Sequence, residues 1–160
     1  AGSSYFATEY AGLHWDYVDA HVPGAAFCDW TKDIAFLEES PSGGAAVPAQ
    51  LAGRDQFVTA MEERGVGAGK KVVVYDNGNM LFATRFWWAM RCFGHDGVSV
   101  LDGGWAKWLA EGRPVTADGP CPLKVYHDWG LDEDRERPWL RATIGDLLQQ
   151  VGSSCGGGGA

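Results

Sequence analysis

The sequence predicts an α/β domain built on an open parallel sheet flanked by helices. Two observations carry that expectation. Lys71-Val72-Val73-Val74-Tyr75-Asp76 is a continuous β-branched run suited to a strand buried on both faces, and Val98-Ser99-Val100-Leu101 repeats the pattern. Each run is followed by a short glycine-bearing turn and then a helical stretch. Strand, helix, strand, helix with short connections means βαβ units, for which right-handed crossovers onto a parallel sheet are the economical topology.

The elements follow in chain order. Residues 8–20 read as a short helix with Thr8 as N-cap and Tyr10, Leu13, Tyr17 and Val18 near helical spacing, ended by Pro23-Gly24. Residues 25–29 read as a brief strand. Residues 38–46, with Pro41, Gly43 and Gly44 and no periodic apolar face, read as a surface loop. A helix over 50–64 carries a stripe of Phe57, Val58 and Met61, with Gly65 as the left-handed residue after it. After the Val72 run, Asn77-Gly78-Asn79 turns into an apolar, mostly interior helix over 81–93 that Gly94 closes. The strand at 98–101 leads through Gly103-Gly104 into a helix over 105–111, stopped by Gly112 and Pro114. From Thr116 onward Pro120, Pro122 and the charged stretch 132–137 make a linker, 142–151 a short amphipathic helix, and Gly156 to Gly159 a tail.

Composition excludes several classes of function. The 160 residues are 46% hydrophobic, which is too apolar for a disordered chain, and no apolar run approaches the ~20 residues a bilayer demands. Thirteen basic against 21 acidic residues give a net charge of −8 without any Lys/Arg stripe. Nucleic-acid affinity rests on cations that displace counterions, so neither DNA nor RNA is an expected partner. Cys28, Cys92, Cys121 and Cys155 lie far apart with no CxxC pair, and read as reduced thiols of an intracellular protein. The first residue is Ala and no charged or apolar leader follows it, so a targeting peptide has been removed or was never present, and the N-terminus is uninformative about address.

In an open parallel sheet, ligands bind beyond the carboxyl ends of the strands, where loops and helix N-termini present backbone N–H groups. The turn after Tyr75 lies at that edge. A cysteine there would have a depressed pKa, but this chain has Asp76, which accepts hydrogen bonds and cannot hold a persulfide. Asp76 is read first as a turn residue bonded to the amides after it, ahead of a catalytic carboxylate, which would need a metal or general acid absent from the sequence. Gly65 to Lys70 precedes a strand and lacks the spacing of a phosphate loop. Neither a GxSxG elbow nor an HExxH pair occurs, so no catalytic residue, no metal and no cofactor is assigned.

His21-Val22-Pro23-Gly24-Ala25, the Val72 to Asp76 run, Ala83-Thr84-Arg85-Phe86-Trp87-Trp88, Gly94-His95, Val98 to Gly104, Trp108 and Glu111-Gly112-Arg113-Pro114-Val115 together resemble the rhodanese family. They resemble most closely the first domain of two-domain thiosulfate and 3-mercaptopyruvate sulfurtransferases. The resemblance implies a rhodanese-like sheet and a sulfur-carrying cysteine that sits in the second domain, after the strand equivalent to Val72 to Tyr75. It also implies a degenerate first-domain loop with Asp in the cysteine's place, here Asp76, Asn77, Gly78, Asn79, Met80 and Leu81 with Arg85. Residues 1–116 are then a rhodanese-like domain without the family's usual first strand, and 117–160 a linker, short helix and Gly-rich tail. The implied role is non-catalytic: a structural or interaction subunit of a larger assembly, covered by a protein partner or a second rhodanese domain. The alternative is the N-terminal half of an active sulfurtransferase whose cysteine lies in a missing second domain. A mitochondrial or cytoplasmic address goes with the family.

Other conspicuous residues have plainer expectations. Trp30 marks a domain interface by the same resemblance. Arg85 needs a carboxylate or backbone acceptor among the helices. His21 and His95 are capping or core-edge groups because no other ligand stands at metal spacing. Trp87, Trp88, Trp105 and Trp108 are expected to pack in the core, and Cys92 to be buried and inert.

Overall fold

The computed structural model describes residues 17–38, 47–118, 135–142 and 144–154. Helix α1 (Trp30–Asp33) leads into an antiparallel pair, β1 (Ala35–Glu38) and β2 (Val47–Leu51). Then come α2 (Arg54–Glu63), β3 (Val72–Val74), α3 (Leu81–Cys92), β4 (Val98–Val100) and α4 (Gly104–Ala110). A 3-10 turn at Pro138–Leu140 and helix α5 (Ile144–Ser154) complete the described elements. β3 and β4 pair in parallel, Val72 opposite Val98 and Val74 opposite Val100, with α3 as the crossover. The α/β architecture with a parallel β–α–β unit is the one the sequence predicts.

Helix ends are set by glycine. After α2, Gly65 (φ +71°) lets its own N–H bond Glu62 O and that of Val66 bond Met61 O at 3.0 Å, a Schellman closure. Gly94 after α3 and Gly112 after α4 repeat it, with His95 N to Met90 O and Arg113 N to Trp108 O. The core lies between α2, α3 and the strands: Phe57, Met61, Ala89, Met90 and Ile34 are fully buried. Phe57 and Phe93 stack at 4.4 Å between ring centroids.

Several expectations need correction. Residues 25–29 form no strand and join no ladder among the described residues. Their place as the early strand is taken by β1, and Gln50 and Leu51, expected in a helix, belong to β2. The Val72 to Val74 strand is not buried on both faces: Val73 is 62% exposed. Helix α3 is only half interior, burying Ala83, Phe86, Ala89 and Met90 while Leu81 and Trp87 face out. Trp88, Trp105 and Trp108 are only half-buried, Trp88 packing against the core cluster. The earlier part of the 8–20 helix, the loop at 39–46, Trp15, Cys121, Cys155 and the glycine tail lie outside the described residues; residues 17–19 are helical.

Two buried histidines tie the ends together. His21 exchanges both backbone hydrogen bonds with Thr116, and its ring stacks on Tyr17 at 4.0 Å with Nδ1 2.8 Å from Tyr17 O. His95 places Nε2 3.2 Å from Gly67 O. The segment 135–141 is fastened across α2 and α3: Arg137 N donates to Cys92 O at 2.7 Å, its guanidinium grips both Asp96 oxygens, and Trp88 Nε1 donates to Leu140 O.

Candidate functional site

The turn after β3 wraps around one side chain. Asp76 Oδ1 accepts from Gly78 N at 2.9 Å and Met80 N at 3.1 Å, while Oδ2 accepts from Phe82 N and Ala83 N, both at 3.1 Å. Two of these donors belong to the turn and two to the first turn of α3, whose N–H groups have no partner within the helix. The carboxylate thus closes the N-terminus of α3 where the local cap, Met80, offers no side-chain bond. Met80 is left-handed (φ +65°), which turns its N–H inward. Asn79 Oδ1 accepts from Leu81 N at 3.0 Å and fixes the outer curve.

A second loop supports the first from behind. Trp105 N donates to Asp76 O at 2.8 Å, and a Cβ on Gly104 would stand 2.5 Å from that oxygen. Gly78 (φ +122°) packs against Ala106. Gly78, Gly104 and Trp105 therefore position the turn by close backbone approach. Of these, the sequence reading assigned Gly104 and Trp105 only to a turn and a helix; the available signal was a second glycine turn at the same edge of the parallel sheet.

Arg85, grouped with this turn from the sequence, is placed differently. Its guanidinium lies over the Trp88 ring at 4.5 Å, and among the described residues no ion pair joins it to Asp76. Burial lowers its pKa. Trp30 stacks on Phe82 at 5.5 Å, so the aromatic expected at an interface sits beside the donor that holds Asp76 Oδ2. Asn77 is exposed at the end of a cleft of about 410 Å³ that runs along β3.

The two described cysteines are poor nucleophiles. Burial, reinforced by Asp33, pushes the Cys28 thiol far up, and burial raises Cys92 as well. Among the described residues no group of three or more His, Cys, Asp or Glu side chains is arranged to hold a metal, and no helix is long and apolar enough to cross a membrane. The turn can hold one small anion by four N–H groups, and the chain's own carboxylate fills it.

The pattern of the rhodanese-like domain matches residues 10–111. The chain belongs to the rhodanese family. It is 31% identical over 153 residues to thiosulfate sulfurtransferase of Gallus gallus, covering 94% of this chain and 49% of that protein. It is 41% identical over 93 residues to 3-mercaptopyruvate sulfurtransferase of Escherichia coli, covering 58% of this chain and 31% of the relative. Among solved structures, a 3-mercaptopyruvate sulfotransferase from Escherichia coli superposes with a TM-score of 0.72 at 27% identity, covering 96% of this chain and 53% of the other. This rhodanese domain therefore spans about half the length of relatives it matches.

Proposed function

We propose that this rhodanese domain is non-catalytic and serves as a structural or interaction module, with Asp76, Asn77, Gly78, Asn79, Met80 and Leu81 as a degenerate active-site loop. The observation that carries the reading is the Asp76 carboxylate held by four backbone N–H groups. A group bound that way leaves no donor for an incoming anion, and a carboxylate carries no sulfur. Sulfur transfer by way of a cysteine persulfide needs a thiolate in such a cradle, where fixed dipoles stabilise its charge. Trp30, stacked beside Phe82, marks the side that a second domain or partner protein covers.

A second reading is favoured by the coverage of the relatives. A chain matching about half of a sulfurtransferase is also what the N-terminal half of such an enzyme looks like, with the nucleophile in a further domain. A mitochondrial or cytosolic location belongs to either reading.

The test is sulfur transfer from thiosulfate to cyanide by the 160-residue chain and by Asp76→Cys. The parent is expected to be inactive. The introduced thiol is expected to alkylate with iodoacetamide at least tenfold faster than Cys92. An enzyme-like rate in the parent, abolished by Asp76→Ala, overturns the proposal. The mass of the polypeptide from its source separates the two readings: about twice 17.3 kDa for the silent half of an enzyme, or this size within a large complex for a module.

A further inference from the structure

We propose that Asn77 is a site of spontaneous covalent modification: with Gly78 it closes to a succinimide that water opens to isoaspartate or aspartate, at a rate that Asp76 restrains. The inference holds whether or not the loop takes part in catalysis. Asparagine is labile when the next backbone nitrogen has room to reach its side-chain carbonyl carbon, and a following glycine, with no side chain, leaves the most room. Asn77-Gly78 meets that condition. The Asn77 side chain is exposed and, among the described residues, no hydrogen bond holds it.

The fold itself requires the glycine. Gly78 has φ +122°, and a Cβ there would stand 3.1 Å from Ala106 Cβ and 3.2 Å from Gly103 O. The loop behind the turn thus excludes the side chains that would slow ring closure. Asn79, two residues on, is the contrast. Its Oδ1 accepts from Leu81 N at 3.0 Å, and the residue after it is Met80, whose Cβ crowds the approach to the carbonyl carbon.

The chemistry consumes one water and needs no other reactant. Gly78 N gives up its proton and bonds to Asn77 Cγ, and the side-chain nitrogen takes up a proton and leaves as ammonia. Water then adds to one carbonyl of the imide. Breaking the bond from Gly78 N to Cγ leaves aspartate. Breaking the bond from Gly78 N to the Asn77 backbone carbonyl leaves isoaspartate, in which the chain runs through Cβ and Cγ. Both products carry a new carboxylate, and isoaspartate lengthens the backbone by one methylene.

Asp76 controls the attacking nitrogen. The Gly78 N–H donates to Asp76 Oδ1 at 2.9 Å, and the same oxygen takes Met80 N. Gly78 N attacks only once that bond is broken and the proton lost, and a carboxylate beside it opposes the negative charge that the loss leaves. Closure therefore waits on a local opening of the turn. The product weakens the restraint in its turn. In isoaspartate the added methylene lies between Asp76 and Gly78, so the carboxylate cannot keep Gly78 N and Met80 N while it also holds Phe82 N and Ala83 N. Modification therefore loosens the cap of α3.

The experiment incubates the 160-residue protein for weeks at neutral pH and reads digested peptides by mass and reversed-phase retention. Asn77 is expected to convert, with isoaspartate in excess and Asn79 intact, between twofold and a hundredfold more slowly than in the same chain unfolded in urea. Asp76→Ala should convert at least fivefold faster than the parent. Asn77→Gln should give no product and match the Tm of the fresh parent, and the isoaspartyl fraction should melt several degrees lower. Native conversion slower than one hundredth of the rate in urea, or equal conversion at Asn79, overturns the site. Native conversion within twofold of the rate in urea, or a folded Asp76→Ala that falls short of a fivefold gain, overturns the restraint by Asp76. If Asp76→Ala does not fold, the parent's native rate against its rate in urea decides the restraint.

Discussion

Asp76 concentrates the physics of the loop in one side chain. Removing its carboxylate strips four N–H groups of their acceptor and uncaps α3, so Asp76→Ala should cost about 2–3 kcal/mol and lower Tm by roughly 5–10 °C. Asp76→Asn keeps one acceptor oxygen but turns an NH₂ toward the remaining donors, and should fall between the two in a urea melt. A Tm for Asp76→Ala within about a degree of the parent would mean that the turn holds itself. Gly104→Ala tests the support behind it. Its Cβ would stand 2.5 Å from Asp76 O at a backbone φ of +53°, whereas Gly112→Ala meets nothing within 4 Å at φ +63°. Left-handed strain alone costs about 1 kcal/mol, so Gly104→Ala should destabilise by about 2–3 kcal/mol and Gly112→Ala by about 1. Equal losses in parallel thermal melts would show that the contact with Asp76 is not needed. Asp76 was legible as an acceptor at a strand end because that edge collects N–H groups. Which four amides it would take was not legible, since Met80 had to adopt a left-handed backbone that its residue type disfavours. Arg85 lies over Trp88, three residues along the same helix, a local cation–π contact that the sequence reading did not name.

At the scale of elements, the segment 135–141 acts as a strap whose firmest tie is Asp96 with Arg137. The hydrogen bond from Arg137 holds the Asp96 carboxyl below the ordinary value of 3.8. A depressed folded-state value means stability that is fully present above that ordinary value and is lost as pH falls through the folded one. The strap should therefore be closed at neutral pH and released in acid below about pH 4. Because Asp96 is exposed, Asp96→Asn should change global stability by less than about 1 kcal/mol at pH 7. It should still lower the exchange protection of the Arg137 amide, which donates to Cys92 O, several-fold. Protection that is the same in parent and variant at pH 7 would move the tie to Arg54 with Glu136. The β3–α3–β4 unit was legible because its period and its glycine stops agree at every level. The β1–β2 pair was not: it is short, its register slips between Phe36 and Glu38, and Pro48 argues against a strand except at an edge, which is where β2 lies. Residues 25–29 have strand composition but no ladder partner among the described residues, and pairing is a property of neighbours that a single segment does not encode.

On the scale of the whole molecule, several large apolar side chains near the end of the described chain face outward. Trp139 is 73% exposed, and Leu147, Leu148 and Val151 on α5 are 56%, 67% and 63% exposed. Trp139 lies within the strap, and Leu147, Leu148 and Val151 lie on α5, which follows it. An isolated 11-residue helix is marginal in water, since nucleation is costly and most helical stability comes from packing an apolar face. In the 160-residue protein α5 should accordingly exchange its amides within about tenfold of the unfolded rate, while α3, with Ala83, Phe86, Ala89 and Met90 in the core, is protected by close to the full unfolding free energy. Truncation after Arg141 should leave Tm within about 2 °C, because no described core residue lies beyond it, and should reduce binding of an apolar dye such as ANS. If truncation instead unfolds the domain, α5 is part of its core. If α5 is as protected as α3 in the isolated chain and becomes exposed on dilution, a second copy already covers its leucine face, and the surface belongs to a self-association rather than to a separate domain or partner protein.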